Sequence, residues 1–199
     1  MALSKNQIRD LYCDRAANYD LSANLYYLAG FRVAKYRNRA VSALRLKPGG
    51  TVVYIGCGTG LNFSYLLESI RQNGRVIGVD LTDAMLEKAK KRVRRNGWRN
   101  IELVHSDAAT YEFPAKLQGV VSTFALSFVP EYKQVIKNAA SALDSGGKLV
   151  VADHRKPDRW PLSLVKFSVM ITKPFGVSFD LLKKKPWEAM AVYFPRVTV

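Results

Sequence analysis

The stretch "VVYIGCGTG", residues 52–60, runs a β-branched segment straight into Gly56, Gly58 and Gly60. Glycines that dense do not belong inside a helix or a strand; they let the chain turn sharply and bring bare backbone against a ligand. Four more short runs of the same kind follow: "RVIGVD" (75–80), "IELVHSD" (101–107), "GVVSTFA" (119–125) and "GKLVVAD" (147–153). With "TVVYI" (51–55) they make five predicted strands. Most are continuously apolar, as strands covered on both faces are. Helix-length segments separate them. Thr82-Asp83 reads as the cap of a helix whose Met85, Leu86, Ala89 and Val93 form one stripe, and Asn96-Gly97 ends it. Residues 144–147 read as a turn delivering the fifth strand.

This alternation predicts an α/β fold, a Rossmann-like, doubly wound and mostly parallel sheet. In such sheets ligands sit outside the carboxyl ends of the strands, where the glycine loop lies. Upstream, residues 4–47 read as helices forming a lid over that edge. Ile8, Leu11, Tyr12 and Arg15 share a face, Tyr19-Asp20 follows, and 25–44 is amphipathic and basic. Downstream, five prolines break residues 154–199 into short pieces, and "YFPRVTV" is a candidate edge strand.

Composition bounds the rest. The 199 residues suit one domain, and 48% hydrophobic with 24% charged is ordinary globular usage. The chain carries 31 Lys+Arg against 16 Asp+Glu, a net +15, so its surface attracts polyanions. Two cysteines, Cys13 and Cys57, exclude a disulfide framework or a zinc cluster and suit a cytoplasmic protein, and no metal site is read. "MALSKNQIRD" lacks the apolar core of a secretory signal, and "WPLSLVKFSVMI" (160–171) is too short to span a bilayer. A soluble or peripheral protein is expected.

The loop's ligand follows from its neighbours. A dinucleotide site would want a third glycine at position 61, which is Leu61. Asp80 ends the second strand 20 residues after Gly60, where a carboxylate can accept both hydroxyls of a ribose. Asp107-Ala108, after the third strand, lies where an adenine would, with Asp107 accepting from its amino group. These residues describe a site for a nucleoside with an amino-acid tail. Cys57 is read as a small residue that fits the loop, and His105 as a buried, hydrogen-bonded histidine.

On these residues the chain resembles the class I S-adenosylmethionine-dependent methyltransferases. "VVYIGCGTG" is similar to their first motif, "GVDLT" to the ribose-binding second, "HSDAA" to the adenine-side third, and "LDSGGKLVVAD" to the approach to the fifth strand. The resemblance implies S-adenosylmethionine as cofactor and a single methyltransferase domain over 1–199. Its parts would be a helical arm or lid (1–47), a cofactor-binding core (48–153) and a C-terminal segment in contact with substrate or membrane (154–199). It implies cofactor contacts from Tyr12, Tyr19, Gly56, Cys57, Gly58, Gly60, Asp80, Leu81, Asp107, Ala108 and Phe124. Two positions depart from the family: Tyr54 and Gly119 stand where it commonly has acids. The acid at the first position orders the loop or helps hold the amino group of the methionine tail.

Substrate clues are thinner. The fourth strand ends "STFALSFVPE", without the Asn/Asp-Pro-Pro-aromatic box of enzymes that methylate planar amino groups. "YCDRAANYD" is similar to the Tyr-x-x-x-Ala-x-x-Tyr-Asp entry of quinone-biosynthesis and phosphatidylethanolamine-type methyltransferases. Arg32, Lys35, Arg37 and Arg39 crowd a helix that also bears Leu25 to Phe31, a pattern that fits an anionic membrane surface. The leading expectation is therefore methylation of a phospholipid amino headgroup by a peripherally bound enzyme. In it, His154 is the proton acceptor and Tyr19 the positioning residue. The alternative is a quinone-ring C-methyltransferase or another small-molecule methyltransferase. An RNA enzyme ranks lower, because few aromatics interleave the basic run Lys88–Arg95, so nucleic acid is not the expected partner. An inactive cofactor-binding scaffold ranks with it.

Overall fold

In the computed structural model, which describes residues 4–20, 32–155, 160–172 and 177–199, the predicted strands form one all-parallel sheet. They are β1 (Thr51–Ile55), β2 (Arg75–Asp80), β3 (Ile101–His105), β4 (Leu117–Thr123) and β5 (Leu143–Ala152), in the order β3-β2-β1-β4-β5. The order reverses between β1 and β4, so the crevice of the sheet opens at the end of β1. The doubly wound, Rossmann-like expectation is borne out.

Period-two alternation splits the core in two. Val53, Ile55, Ile77, Val79 and Val120 face one way, against Val135, Ile136 and Ala139 of α5 (Tyr132–Ala142). Val52, Tyr54, Val76 and Val121 face the other. That side is covered by α2 (Val33–Leu44), α3 (Phe63–Ile70) and α4 (Asp83–Arg95). α4 buries Met85, Leu86 and Ala89, the predicted stripe. Thr82 stands at its N-cap without a side-chain capping bond; the Oδ1 of Asp80 accepts from the Thr82 N–H instead, at 2.9 Å.

Ahead of the sheet, α1 (Lys5–Arg15) starts at a capping box in which Ser4 and Gln7 satisfy each other's backbone N–H. The basic helix proposed for a membrane surface is put to another use. α2 packs on β4 and β5, burying Ala40, Val41, Leu44 and also Arg37. Leu25 to Phe31 fall outside the described residues.

Two further expectations change. The turn at 144–147 is a bulge inside β5: Leu117 pairs Leu143, and the next pair is Gly119 with Lys148. The tail "YFPRVTV" forms no strand. Residues before it make α8 (Pro186–Tyr193), preceded by α6 (Leu162–Thr172) and a single turn, α7 (Phe179–Leu182). α8 docks on α5 with Ala189 in the core and Met190 and Phe194 against it. Among the described residues no helix is long and apolar enough to cross a membrane.

Ile136 is fully buried between α5 and the sheet, so Ile136→Ala is expected to destabilise the fold by about 2–5 kcal/mol. Val192, on the open side of α8, is 73% exposed, and its change to Ala should stay within about 0.5 kcal/mol. Denaturant unfolding of the two variants checks the contrast.

Candidate active site

Because β1 ends at the crevice, the loop after it shapes the site. Gly56, Gly58 and Gly60 all have positive φ, at +61°, +54° and +79°. A Cβ on Gly56 would strike Ala125 at 2.3 Å, so that glycine is needed for packing. A Cβ on Gly58 would meet no protein atom within 4 Å. Its bare face looks into a cleft of about 880 Å³, counting the part open to solvent.

Asp80 holds this loop in place. Its Oδ2 accepts from the Gly58 N–H at 2.7 Å and its Oδ1 from the Thr82 N–H. Burial raises its pKa, opposed by those two N–H groups. Asp107 is similarly engaged: Oδ1 accepts from the Ala109 N–H at 2.9 Å, and Oδ2 pairs with Lys5 Nζ at 2.6 Å. Lys5 also reaches Glu131 at 2.9 Å, and these hydrogen bonds raise the lysine's pKa. The Cys57 thiol is fully buried and its pKa lies well above the ordinary value because of that burial, so it is an inert filler of the loop.

The lid closes the cleft from above. Ile8, Tyr12 and Tyr19 line it, and the Tyr12 ring sits 6.2 Å from Tyr19 and edge-on to Phe128 at 6.0 Å. Burial keeps the Tyr12 phenol protonated far beyond neutral pH. Asp20 pins the lid to the loop: it accepts from Thr59 Oγ1 at 2.6 Å and pairs with Arg92 of α4.

Phe124, at the end of β4, adopts φ +56°, a strained conformation for a residue with a side chain. Its ring forms part of the wall, with the Arg37 guanidinium 5.4 Å above it and the His154 ring 5.5 Å away. Buried Arg37 donates from Nη1 to Tyr54 Oη, Asn62 Oδ1 and Thr123 Oγ1 at 3.3, 3.4 and 3.1 Å.

The cleft therefore gathers Tyr12, Tyr19, Gly56, Cys57 and Gly58 with Asp80, Leu81, Asp107, Ala108 and Phe124. Gly60 is one turn outside the lining, where a Cβ would strike Phe63. His154 stands behind Phe124, its Nδ1 3.4 Å from Asp153 Oδ1. His105 bonds Leu81 O at 2.9 Å but is exposed rather than buried. Sequence reading missed Lys5, Asp20, Arg37 and Thr59. For Arg37 a signal existed: it shares a helical stripe with Ala40, Val41 and Leu44.

Residues 52–147 match a family model described as a methyltransferase domain. That match and the fold together support a class I methyltransferase domain over those residues. S-adenosylmethionine is its cofactor, and the bare backbone at Gly58 beside a strand-end carboxylate suits that group. The chain is similar to the demethylmenaquinone methyltransferase of Listeria welshimeri, 30% identical over 125 residues, 62% of this chain and 53% of that protein. The Staphylococcus saprophyticus protein of the same name is 29% identical over 154 residues, 77% of this chain and 64% of that one. The chain thus spans between half and two thirds of the length of these relatives. Among solved structures, a SAM-dependent methyltransferase from Aquifex aeolicus superposes with TM-score 0.55 at 18% identity, over 74% of this chain and 89% of that one. The YcgJ protein of Bacillus subtilis gives 0.60 at 19%, over 70% and 58%. These last two speak for the fold.

The names of the relatives overturn the phospholipid-headgroup expectation, since they refer to a quinone and not to a lipid amine. α2, for its part, turns Ala40, Val41 and Leu44 toward the sheet, with Arg37 buried among them.

Gly58→Ala places a methyl in the cleft at a left-handed φ, and donor affinity should fall at least about tenfold. Calorimetric titration with S-adenosylhomocysteine measures it. The same titration run against pH tests Asp80. A carboxylate that must be ionised to accept hydroxyls, and whose pKa burial has raised, loses affinity as pH falls, starting above the ordinary 3.8. For folding the sign is reversed: the folded chain holds that proton more tightly, so this group's contribution declines as pH rises from 3.8 to its raised pKa. Asp80→Asn should bind weakly and without that pH dependence.

Proposed function

We propose that the chain methylates a ring carbon of a reduced quinone, using S-adenosylmethionine. The reading rests on the relatives named demethylmenaquinone methyltransferases, and the wall that the lid presents to the cleft supports it. Ile8, Tyr12, Phe128, Val129 and Pro130 all line the cleft and offer apolar surface to a planar ring.

Bound S-adenosylmethionine supplies a methyl group already activated on a sulfonium, so the chain's residues need to align the acceptor and take its proton. A ring carbon becomes nucleophilic when the ring is reduced and a phenolic proton is lost. In this proposal Asp80 accepts the ribose hydroxyls, Asp107 and Ala108 flank the adenine, and the Gly56–Gly58 backbone lies under the tail. Tyr19 positions the ring. Tyr12, kept neutral by burial, serves as a wall and hydrogen-bonding group. His154, oriented by Asp153, is the proposed proton acceptor. An anionic membrane surface as partner belongs to the same proposal. Trp160, Leu164 and Met170, all exposed on or beside α6, are the side chains that would meet it.

The test is a competition. The protein is incubated with methyl-labelled S-adenosylmethionine, reduced demethylmenaquinone, phosphatidylethanolamine vesicles and RNA. Label is expected in the quinone fraction alone, and label on lipid or RNA overturns the reading. His154→Ala should lower turnover by about 10²-fold or more, with the loss varying across pH 6–9. Unchanged turnover across that range removes the histidine from the mechanism.

A further inference from the structure

Three consecutive lysines, Lys183, Lys184 and Lys185, link α7 to α8. The outer two are exposed and each meets an acid three residues away, Lys183 with Asp180 at 3.4 Å and Lys185 with Glu188 at 2.7 Å. Lys184 turns inward instead. Its Nζ donates to Ser127 O at 2.6 Å and to Val129 O at 3.2 Å, and lies 5.5 Å from the centre of the Tyr132 ring. Burial lowers its pKa, opposed by the charges of Asp153 and Glu131. Withdrawing an ammonium from water is costly, and the two carbonyls offset that cost.

What the lysine holds is the backbone that follows β4. Leu126–Phe128 form a single 3-10 turn without a side-chain cap. A turn that short leaves carbonyls without partners of its own, and Lys184 takes two of them. Asp153, the residue after β5, accepts the Ser127 N–H with its Oδ2 at 2.8 Å. Ser127 is thus gripped at its N–H by an anion and at its C=O by a cation. Val177 and Leu181 pack against Phe128, and Ile8 of α1 joins them. The same stretch is cleft wall, since Phe128, Val129 and Pro130 line the cleft. Asp80 and Asp107 follow β2 and β3, on the other side of β1 from this turn.

We propose that Lys184 is a positioning residue for the methyl acceptor. By holding the carbonyls of Ser127 and Val129 it fixes Phe128–Pro130 as a firm wall against which the acceptor ring is aligned. The C-terminal segment thereby acts on acceptor recognition through the turn after β4. This rests on the quinone reading above, and the test separates the two.

Lys184→Met keeps an unbranched side chain and removes the donor. With reduced demethylmenaquinone as acceptor, its KM should rise about tenfold or more while kcat changes by less than about threefold, the pattern of lost uniform binding. Affinity for S-adenosylhomocysteine, titrated calorimetrically, should stay within about twofold of wild type. Lys184→Arg, which keeps a donor cation, should bring the acceptor KM back to within about threefold of wild type. Amide hydrogen exchange followed by NMR gives an arm that needs no acceptor. In Lys184→Met the amides of Ser127, Phe128 and Val129 should exchange about tenfold faster or more, while that of Ile136 in the core keeps its wild-type rate. An unchanged acceptor KM overturns the proposal, and so does an equal loss of affinity for S-adenosylhomocysteine. If wild type does not methylate the quinone, that reading has failed, and the exchange rates then decide: unaltered rates at 127–129 overturn the role of Lys184. If Lys184→Met does not fold, Lys184→Gln, which keeps a neutral donor, carries the same comparisons.

Discussion

The carboxylate of Asp80 is the group on which the site depends. It sits at the end of β2 and reaches across to the N–H of Gly58, fixing the loop after β1 in a shape that only glycines allow. Burial penalises its charge while the two N–H groups stabilise it, so the loop and the carboxylate each need the other. The lid hangs from the same assembly. Thr59, next to Gly58, donates to Asp20, which in turn pairs with Arg92 of α4. Arg92 thus faces inward while Lys88, Lys90 and Lys91 of the same helix face solvent. A second latch joins Lys5 of α1 to Asp107 and Glu131.

Much of this was legible because it is local. β1 and β2 begin and end where their apolar runs do, and the glycine spacing and Asp80 follow from strand ends alone. The bulge in β5 was not, because Gly146 at φ +80° serves a turn or a bulge equally well. The pairing of Leu143 with Leu117, a contact distant in sequence, decides between them. The C-terminal helix was hidden for a related reason: its apolar residues dock on α5, and nothing near them in sequence announces that partner.

α2 shows how a pattern can be read correctly and used wrongly. Its alternation of cations and apolar residues is real, and cations on an amphipathic helix usually face water. Phase decides otherwise for Arg37, which falls on the stripe of Ala40, Val41 and Leu44 and so goes under the helix with them. A basic helix read as a membrane contact becomes a structural helix that carries one charge into the crevice.

That charge behaves differently from the rest of the net +15. Surface lysines and arginines act through water and salt, which damp them within about 8 Å at physiological ionic strength. They can gather anions near the protein but cannot orient one. Arg37, stacked over the Phe124 ring and held by Tyr54, Asn62 and Thr123, is neither screened nor free to turn. With Asp80 across β1, it gives the cleft a carboxylate on one side and a guanidinium on the other. Opposite charges so placed give a bound molecule one preferred direction in the cleft. The strained backbone at Phe124 is consistent with that requirement, since it places the ring beneath the guanidinium at the end of β4.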